Sequence, residues 1–213
     1  TFREARFPHI PDLDTFEKTN QGVYSVPVTD PEIAFADFRK EPERHPLPTP
    51  SGKIELFSKR LFDMNNPEEI PAVPKYITEW ESPFGVEAKE YPLQVIGPHY
   101  MPRVHSTMVN VDWLSEAFPQ RLFINPIDAE ERGIKNGQKA KIFNQRGTVI
   151  LQCRITTRIL PGVVAIPQGA WWNPDKDGND VGGSVNTLTS EKWTPLAFGN
   201  AQHTIMAEVE PIK

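Results

Sequence analysis

Between Tyr91 and the carboxyl terminus, short apolar segments alternate with tight turns, and this alternation leaves little room for long helices. Proline and glycine, 22 and 13 of the 213 residues, interrupt helices and strands alike, so each regular element is short. Many short strands with regular turns favour a small closed barrel, because closure removes exposed strand edges. The candidate strands are PLQVIG at 92–97, RLFIN at 121–125, QKAKIFN at 138–144, TVILQCRI at 148–155, VVAIP at 163–167 and HTIMAEVEP at 203–211.

A brief helix is predicted directly after the second candidate strand. Asn125 stands at the N-cap position and Pro126 at the first helical position, both common at helix starts. Asp128 occupies the place of a capping-box acid, which would reach back to the start of the helix. Gly133 then ends the helix, and the chain turns into the third strand.

The hairpin that follows has one apolar face. Ala140 and Ile142 alternate with lysines in its first strand, which is typical of a strand with one buried side. In its second strand the shared apolar face consists of Val149, Leu151, Cys153 and Ile155. We therefore expect Cys153 to be a core residue. As the only cysteine, it excludes an internal disulfide, a cysteine-held zinc site and an iron–sulfur cluster within this chain.

The first 90 residues have a different character. Residues 1–62 combine helix and turn patterns, with Asp30 placed to cap a helix over EIAFADFRK and a strand-like KIELF at 53–57. Residues 63–90 are rich in proline and glutamate and are predicted to form an irregular linker. The predicted fold is mainly β with short helices, a barrel over residues 91–213 preceded by a mixed α/β extension.

Charge and hydropathy exclude several classes of protein. The formal net charge of −5, without a block of like charge, argues against nucleic acid as a partner, because such binding needs a basic face. No apolar run spans a bilayer and the amino end lacks the apolar core of a secretory signal, so the chain is expected to be soluble. It begins without methionine, as a processed chain or a piece of a longer protein would. Signatures of a nucleophile elbow, a P-loop, a dinucleotide fingerprint and a zinc protease are absent from the sequence.

Two polar loops are candidate binding sites. The first, GPHYMPRVHST at 97–107, follows a strand and contains Arg103, whose forked donors, with nearby hydroxyls and backbone amides, suit an anion. A polar surface loop is the alternative, and its two histidines lack a third ligand nearby, which disfavours a metal site. The second, GGSVNTLTS at 182–190, begins with paired glycines that let the backbone approach something flat. Asn186 there offers an amide that both donates and accepts.

Two further features near the second loop permit other interpretations. The acidic turn at 175–180 resembles a calcium loop, but glycine comes fourth rather than sixth and Asn186 stands in place of the bidentate glutamate, so a solvated turn is favoured. Exposed tryptophans would anchor a protein partner, and a stand-alone barrel that binds protein is the alternative function. The tryptophans concerned are Trp171, Trp172 and Trp193.

Taken in order, these motifs resemble the carboxyl-terminal domain of molybdopterin oxidoreductases, within them the catalytic subunits of the anaerobic dimethyl sulfoxide reductase type. The resemblance runs from about Pro92 to the end, and TPSGKIELFS at 49–58 also matches. It implies a double-psi β-barrel that closes over bis(molybdopterin guanine dinucleotide), with the short helix and hairpin contributing to the closure. The matching segments are GPHYMPRVHS, FINPIDAEERGIKNGQKAKIFNQRG, ILPGVVAIPQGAWWNP, GGSVNTLTS and GNAQHTIMAEVE.

The resemblance also implies which residues meet the cofactor. The loop at 97–106 would follow its pterin and phosphate parts, Asn186 would bond a pterin, and His203 would lie near the cofactor. The expected contacts are Gly97, His99, Arg103, His105, Ser106, Asn186 and His203. No catalytic or metal-ligating residue is expected in this chain, since the family carries its molybdenum ligand and iron–sulfur motif in upstream domains.

For a whole enzyme of this kind, the resemblance implies reduction of an S-oxide or N-oxide such as dimethyl sulfoxide in anaerobic respiration, with the molybdenum performing the redox step. The implied partners are upstream domains of the same polypeptide, an iron–sulfur electron-transfer subunit and a membrane anchor subunit, at the periplasmic face of the membrane. By itself, this chain is expected to be a fragment that binds the cofactor weakly and catalyses nothing.

Overall fold

A computed structural model describes residues 10–18 and 31–212. The chain divides into two compact units, Thr1–Glu55 and Leu56–Lys213. Within the described residues, no helix is both long enough and apolar enough to cross a membrane.

The described part of the first unit contains two short helices, Leu13–Lys18 and Ala36–Lys40. The second covers only residues 36–40 of the predicted helical segment, because residues 32–35 are not helical and Phe35, not Asp30, stands at the N-cap. Asp30 itself falls outside the described residues. The strand predicted at 53–57 is wrong, because these residues form bends and irregular chain. A strand needs a neighbouring strand with which its backbone groups can pair. The Lys53 carbonyl instead accepts the Thr49 hydroxyl at 2.6 Å, within the local chain.

The second unit contains six strands, and every strand predicted after Tyr91 is present. The strands are β1 Leu93–Ile96, β2 Arg121–Ile124, β3 Lys139–Asn144, β4 Gly147–Ile155, β5 Val163–Ala165 and β6 Ile205–Pro211. They close into a barrel in the order β1-β5-β2-β4-β3-β6. β1 pairs with β5 and β2 with β4 in parallel, and the other four pairings are antiparallel. The predicted double-psi β-barrel is confirmed as a closed six-stranded barrel.

Short helices lie between the strands and in the segment before β1. The helices of this unit are Lys59–Phe62, Asp112–Ala117 and Pro126–Glu131, with 3-10 helices at Val86–Lys89 and Val185–Leu188. The segment 63–90 is attached to the barrel at Glu81, whose carboxylate pairs with Arg146 at 2.7 Å and accepts the Met206 N–H at 3.0 Å. The boundary between extension and linker at residues 62 and 63 stays a prediction.

The barrel interior is filled by the alternate apolar residues of the strands. Each fully buried aliphatic side chain stabilises the folded state by about 1.5–3 kcal/mol, because its apolar surface is removed from water. As predicted, Cys153 belongs to this core, with 1% of its surface exposed. The residues with no exposed surface include Val95, Leu122, Ile124, Ala140, Ile142, Val149 and Val164.

Cys153 is expected to resist thiol reagents in the folded chain. Burial raises the pKa of its thiol to about 11, so roughly one thiol in ten thousand is ionised at pH 7, and only the thiolate is nucleophilic. We expect Ellman's reagent to react slowly with the native chain and promptly after denaturation. Prompt reaction of the native chain would show that Cys153 is accessible and would contradict its place in the core.

The helix Pro126–Glu131 begins as predicted but is held in a different way. Asn125 accepts the Ile127 N–H at 2.9 Å, and Pro126 takes the first position. The capping box predicted for Asp128 is wrong, since its buried carboxylate accepts the Gly162 N–H at 2.9 and 3.1 Å instead. An aspartate is one carbon shorter than the glutamate or glutamine that closes such a box. Asp128 therefore joins the helix to the turn before β5.

Replacing Asp128 with alanine is expected to lower the free energy of unfolding by about 1–3 kcal/mol, because the Gly162 N–H would lose a charged acceptor. Urea denaturation of the chain measures this loss. Glu130→Ala is the matched control, since Glu130 lies on the same helix with an exposed side chain. Equal losses in the two variants would show that the bond to Gly162 contributes nothing.

Strand register determines which loops share an end of the barrel. Ile96 pairs with Ala165, Val95 with Ile205, and Asn144 with Gly147. The connections at 97–120, 145–146 and 166–204 therefore lie together, at what we call the upper end. The helix Pro126–Glu131 follows the opposite end of β2 and lies at the lower end, away from these three connections.

Candidate functional site

All seven residues predicted to meet a cofactor lie in the upper-end connections. Five of them occupy the connection 97–120, while Asn186 and His203 occupy the connection 166–204. Gly97 and His203 are in contact, because the Gly97 N–H donates to Nδ1 of His203 at 3.2 Å. In the neutral form the His203 proton therefore lies on Nε2, and the side chain is exposed.

Arg103 is a half-buried cation with neutral partners. Its guanidinium donates to the side-chain oxygen of Gln120 at 2.6 Å and to the carbonyls of Gln168 and Pro167, both at 3.2 Å. Burial lowers the pKa of Arg103 below its ordinary value. Among residues 10–18 and 31–212, no carboxylate forms an ion pair with it. A partly desolvated positive charge without an acidic partner attracts an anion.

The two histidines of the first loop lie side by side. The ring centroids of His99 and His105 are 5.0 Å apart, and both side chains are exposed. The described residues contain no cluster of three potential metal-ligating side chains. Ser106 is exposed as well, and its carbonyl accepts the indole N–H of Trp171 at 2.9 Å. This bond ties the loop at 97–107 to the segment that follows β5.

Asn186 lies on the short 3-10 helix Val185–Leu188 with its side chain exposed. It lines a shallow cleft together with Arg146 and Glu191. Arg146 donates to the Leu188 carbonyl at 2.8 Å, so the helix is attached to the turn between β3 and β4. Asn186 is thus held on the upper end, with its amide free to meet solvent or a ligand.

Gln120 joins the loops that carry Arg103 and Asn186. Its side-chain oxygen accepts from Arg103, while its amide donates to the carbonyls of Pro167 at 2.7 Å and Gly183 at 3.0 Å. Sequence reasoning missed Gln120, since a glutamine before a strand carries no motif. The only signal was its position, one residue ahead of β2 at the end of the barrel where the polar loops meet.

The acidic turn is organised by its own backbone. Asp175 accepts N–H bonds from Asp177 and Asn179, each at 2.9 Å, and a further bond from the Asn179 amide side chain. The side-chain bond from Asn179 is the main reason why the pKa of Asp175 is lowered. These contacts are those of an Asx turn, and Asp180 at the end of the segment is buried, not solvated as expected.

The three tryptophans are each more than half exposed. The exposed fractions are 51% for Trp171, 61% for Trp172 and 64% for Trp193. Only the indole N–H of Trp171 is engaged with the first loop, and Trp193 packs edge-to-face on Phe198 with the centroids 6.2 Å apart. Their exposure is the feature on which the alternative function, protein binding, depends.

A closed double-psi barrel with its polar loops collected at one end defines a ligand-holding domain. Residues 93–206 match the family described as Molydopterin dinucleotide binding domain. Because the match covers more than half of the chain, this chain belongs to the molybdopterin dinucleotide-binding domain family, as its motifs predicted.

Its relatives include oxidoreductases that are several times longer. Dimethyl sulfoxide reductase DmsA of Escherichia coli is 45% identical over 213 residues, which cover 95% of this chain and 26% of that protein. The dimethyl sulfoxide/trimethylamine N-oxide reductase of Cereibacter sphaeroides is 34% identical over an alignment of 220 positions. This alignment covers 98% of this chain and 26% of that protein. The chain thus spans about a quarter of the length of these relatives.

A solved structure shows the same fold. Acetylene hydratase from Pelobacter acetylenicus superposes with a TM-score of 0.66 over 81% of this chain and 25% of that chain. Its sequence identity is 22%, so the likeness concerns the fold alone.

Proposed function

We propose that this chain holds bis(molybdopterin guanine dinucleotide) and its molybdenum in an oxidoreductase that reduces S-oxides or N-oxides such as dimethyl sulfoxide. The observation that carries the proposal is the Arg103 guanidinium, half-buried among the upper-end loops with neutral partners. The family match supports a molybdopterin ligand, and the names of the relatives support the class of substrate.

The groups at the upper end fit such a ligand chemically. Nε and Nη2 of Arg103 already donate to Gln168, Gln120 and Pro167, so Nη1 is the part of the guanidinium that would donate to a phosphate oxygen. The exposed amide of Asn186 presents a donor and an acceptor, as the edge of a pterin requires. The proposed contacts are Gly97, His99, Arg103, His105, Ser106, Asn186 and His203. When bound, molybdenum would supply the oxygen-atom transfer, and the residues of this chain would bind and orient the cofactor.

The proposed setting is a longer respiratory enzyme. Its partners would be further domains of the same polypeptide, an iron–sulfur electron-transfer subunit and a membrane anchor, on the periplasmic face. We further propose that the 213-residue chain alone binds the cofactor weakly and catalyses nothing, because it supplies one side of the binding cleft.

The test is to remove the guanidinium charge in the whole enzyme and to measure the molybdenum that remains bound after purification. Arg103→Gln is expected to lower retained molybdenum about tenfold or more, since a charged hydrogen bond to phosphate is lost. The matched control is Arg158→Gln, which removes an exposed arginine from the lower end. A folded Arg103→Gln enzyme with the normal molybdenum content would reject the proposal and favour the protein-binding barrel.

A further inference from the structure

Asp180 is a fully buried residue in the long upper-end connection between β5 and β6. None of its surface is exposed. Its N–H donates to the Thr148 carbonyl at 2.9 Å, and its carbonyl accepts the Ile150 N–H at 2.8 Å. The main chain of Asp180 is therefore fixed to β4, which makes the residue part of the barrel wall.

The carboxylate of Asp180 collects four donors from the surrounding loop. Oδ1 accepts the N–H groups of Asn173 at 2.9 Å and Gly182 at 2.8 Å. Oδ2 accepts the Ser184 N–H at 2.6 Å and the Thr187 hydroxyl at 3.3 Å. In the described part of the chain, no cation forms an ion pair with this carboxylate. Such charge-assisted bonds are strong, and they compensate the burial of the charge.

Two of these donors flank Asn186. Ser184 precedes the 3-10 helix Val185–Leu188, and its own side chain does not cap that helix. Instead, Oδ2 of Asp180 accepts one bond from Ser184 ahead of the helix and one from Thr187 within it. The Asp180 carboxylate thus fixes the start of the helix to the barrel, while Arg146 and Asn144 hold its end at the Leu188 carbonyl.

We propose that Asp180 is a positioning residue, whose carboxylate holds the helix Val185–Leu188 so that Asn186 presents its amide to the edge of a pterin. The identity of the ligand in this inference rests on the proposed function. The effect of Asp180 on the loop does not, because it follows from the four hydrogen bonds alone.

The informative variant is Asp180→Asn, which keeps the shape of the side chain. The Thr187 hydroxyl can accept from an amide, whereas the Asn173 and Gly182 N–H groups can only donate. The new oxygen therefore faces Asn173 and Gly182, and the amide group meets the Ser184 N–H as a second donor. The change therefore breaks the half of the arrangement that faces Asn186. Asp177→Asn is the matched control, since it makes the same chemical change at an exposed position in the same connection.

The first measurement is amide hydrogen exchange in the 213-residue chain, which needs no cofactor. We expect the Ser184 amide to exchange about tenfold faster or more in Asp180→Asn. The amides of β3 and β4 and the Asp177→Asn control should keep their normal rates. Unchanged exchange at Ser184 would overturn the inference, whatever the fate of the proposed function.

The second measurement is the cofactor retained by the whole enzyme in Asp180→Asn, Asn186→Ala and the double variant. If Asp180 acts through Asn186, the double variant should retain as much cofactor as Asn186→Ala alone. The reduction potential of the retained cofactor should also shift in the same direction in both single variants. Additive losses of cofactor, or an unchanged reduction potential in Asp180→Asn, would show that Asp180 has only a structural role and would overturn the inference.

The outcomes separate the two proposals. If Asn186→Ala retains cofactor normally, the pterin contact in the proposed function fails, while the exchange experiment still decides whether Asp180 holds the loop. If Asp180→Asn does not fold, Thr187→Val replaces it, because valine keeps the shape and removes only the hydroxyl donor. A roughly two- to fivefold loss of cofactor is then expected, and no loss would overturn the inference.

Discussion

Gly169→Ala is expected to lower the free energy of unfolding by about 2–4 kcal/mol and to displace the loop that carries Arg103 and His105. Gly169 has a φ of +90°, a region that residues with a side chain rarely adopt. A Cβ at this position would fall on the carbonyl oxygen of His105, far inside van der Waals contact. The loop would have to move outward, and the anion site around Arg103 would move with it.

Gly178→Ala separates the two causes of this loss. Gly178 has a φ of +84°, close to that of Gly169, but a Cβ there would meet no atom within 4 Å. It should therefore show only the backbone strain, about 1 kcal/mol. Urea denaturation measures both variants, and the difference between them is the effect of the collision with His105. Equal losses would mean that the two loops do not approach each other as the structure shows.

Gln120→Glu is expected to reduce cofactor retention by about tenfold or more and to lower the free energy of unfolding by about 2 kcal/mol. Glutamate keeps the length of the side chain and still accepts from Arg103. It loses both amide N–H donors, so a carboxylate oxygen would face the carbonyls of Pro167 and Gly183. It also gives Arg103 a permanent anionic partner, which competes with a phosphate for the guanidinium.

The measurements are molybdenum content of the whole enzyme and urea denaturation of the chain. Gln152→Glu is the matched control, because it adds the same charge at an exposed position of β4. A Gln120→Glu enzyme with normal molybdenum content would show that the charge of Arg103 is not used to hold the cofactor. Normal stability would show that the amide bonds to the two carbonyls contribute little.

The strands and the helix Pro126–Glu131 were predictable because their sequence signals are local. Alternation of apolar residues placed β3 and β4, and the cap at Asn125 placed the start of the helix Pro126–Glu131. The strand predicted at 53–57 was wrong because a local signal is not sufficient for a strand. Its pattern is locally suitable, but a strand also requires a neighbour, which no short window of sequence reports.

The candidate site was predictable only in part. Arg103 and Asn186 were recognised by their chemistry and by the family motifs around them. Gln120 and Asp180 were not recognised, since their roles come from partners that the fold supplies. Gln120 lies 63 residues before Gly183, whose carbonyl it binds. Asp180 works through its complete burial and its attachment to β4, and neither property is visible in an acidic turn.

By itself, the sequence determined the short strands, the capped helix and the buried cysteine, because each depends on residue types at fixed short spacings. The family was recognised by the resemblance of several ordered motifs along the chain. The tertiary structure alone decided that the loops at 97–120 and 166–204 meet at one end of the barrel, and that Asp128 binds Gly162 rather than its own helix. The physical reason is that these contacts depend on strand order and register, which arise only when all six strands close around one core.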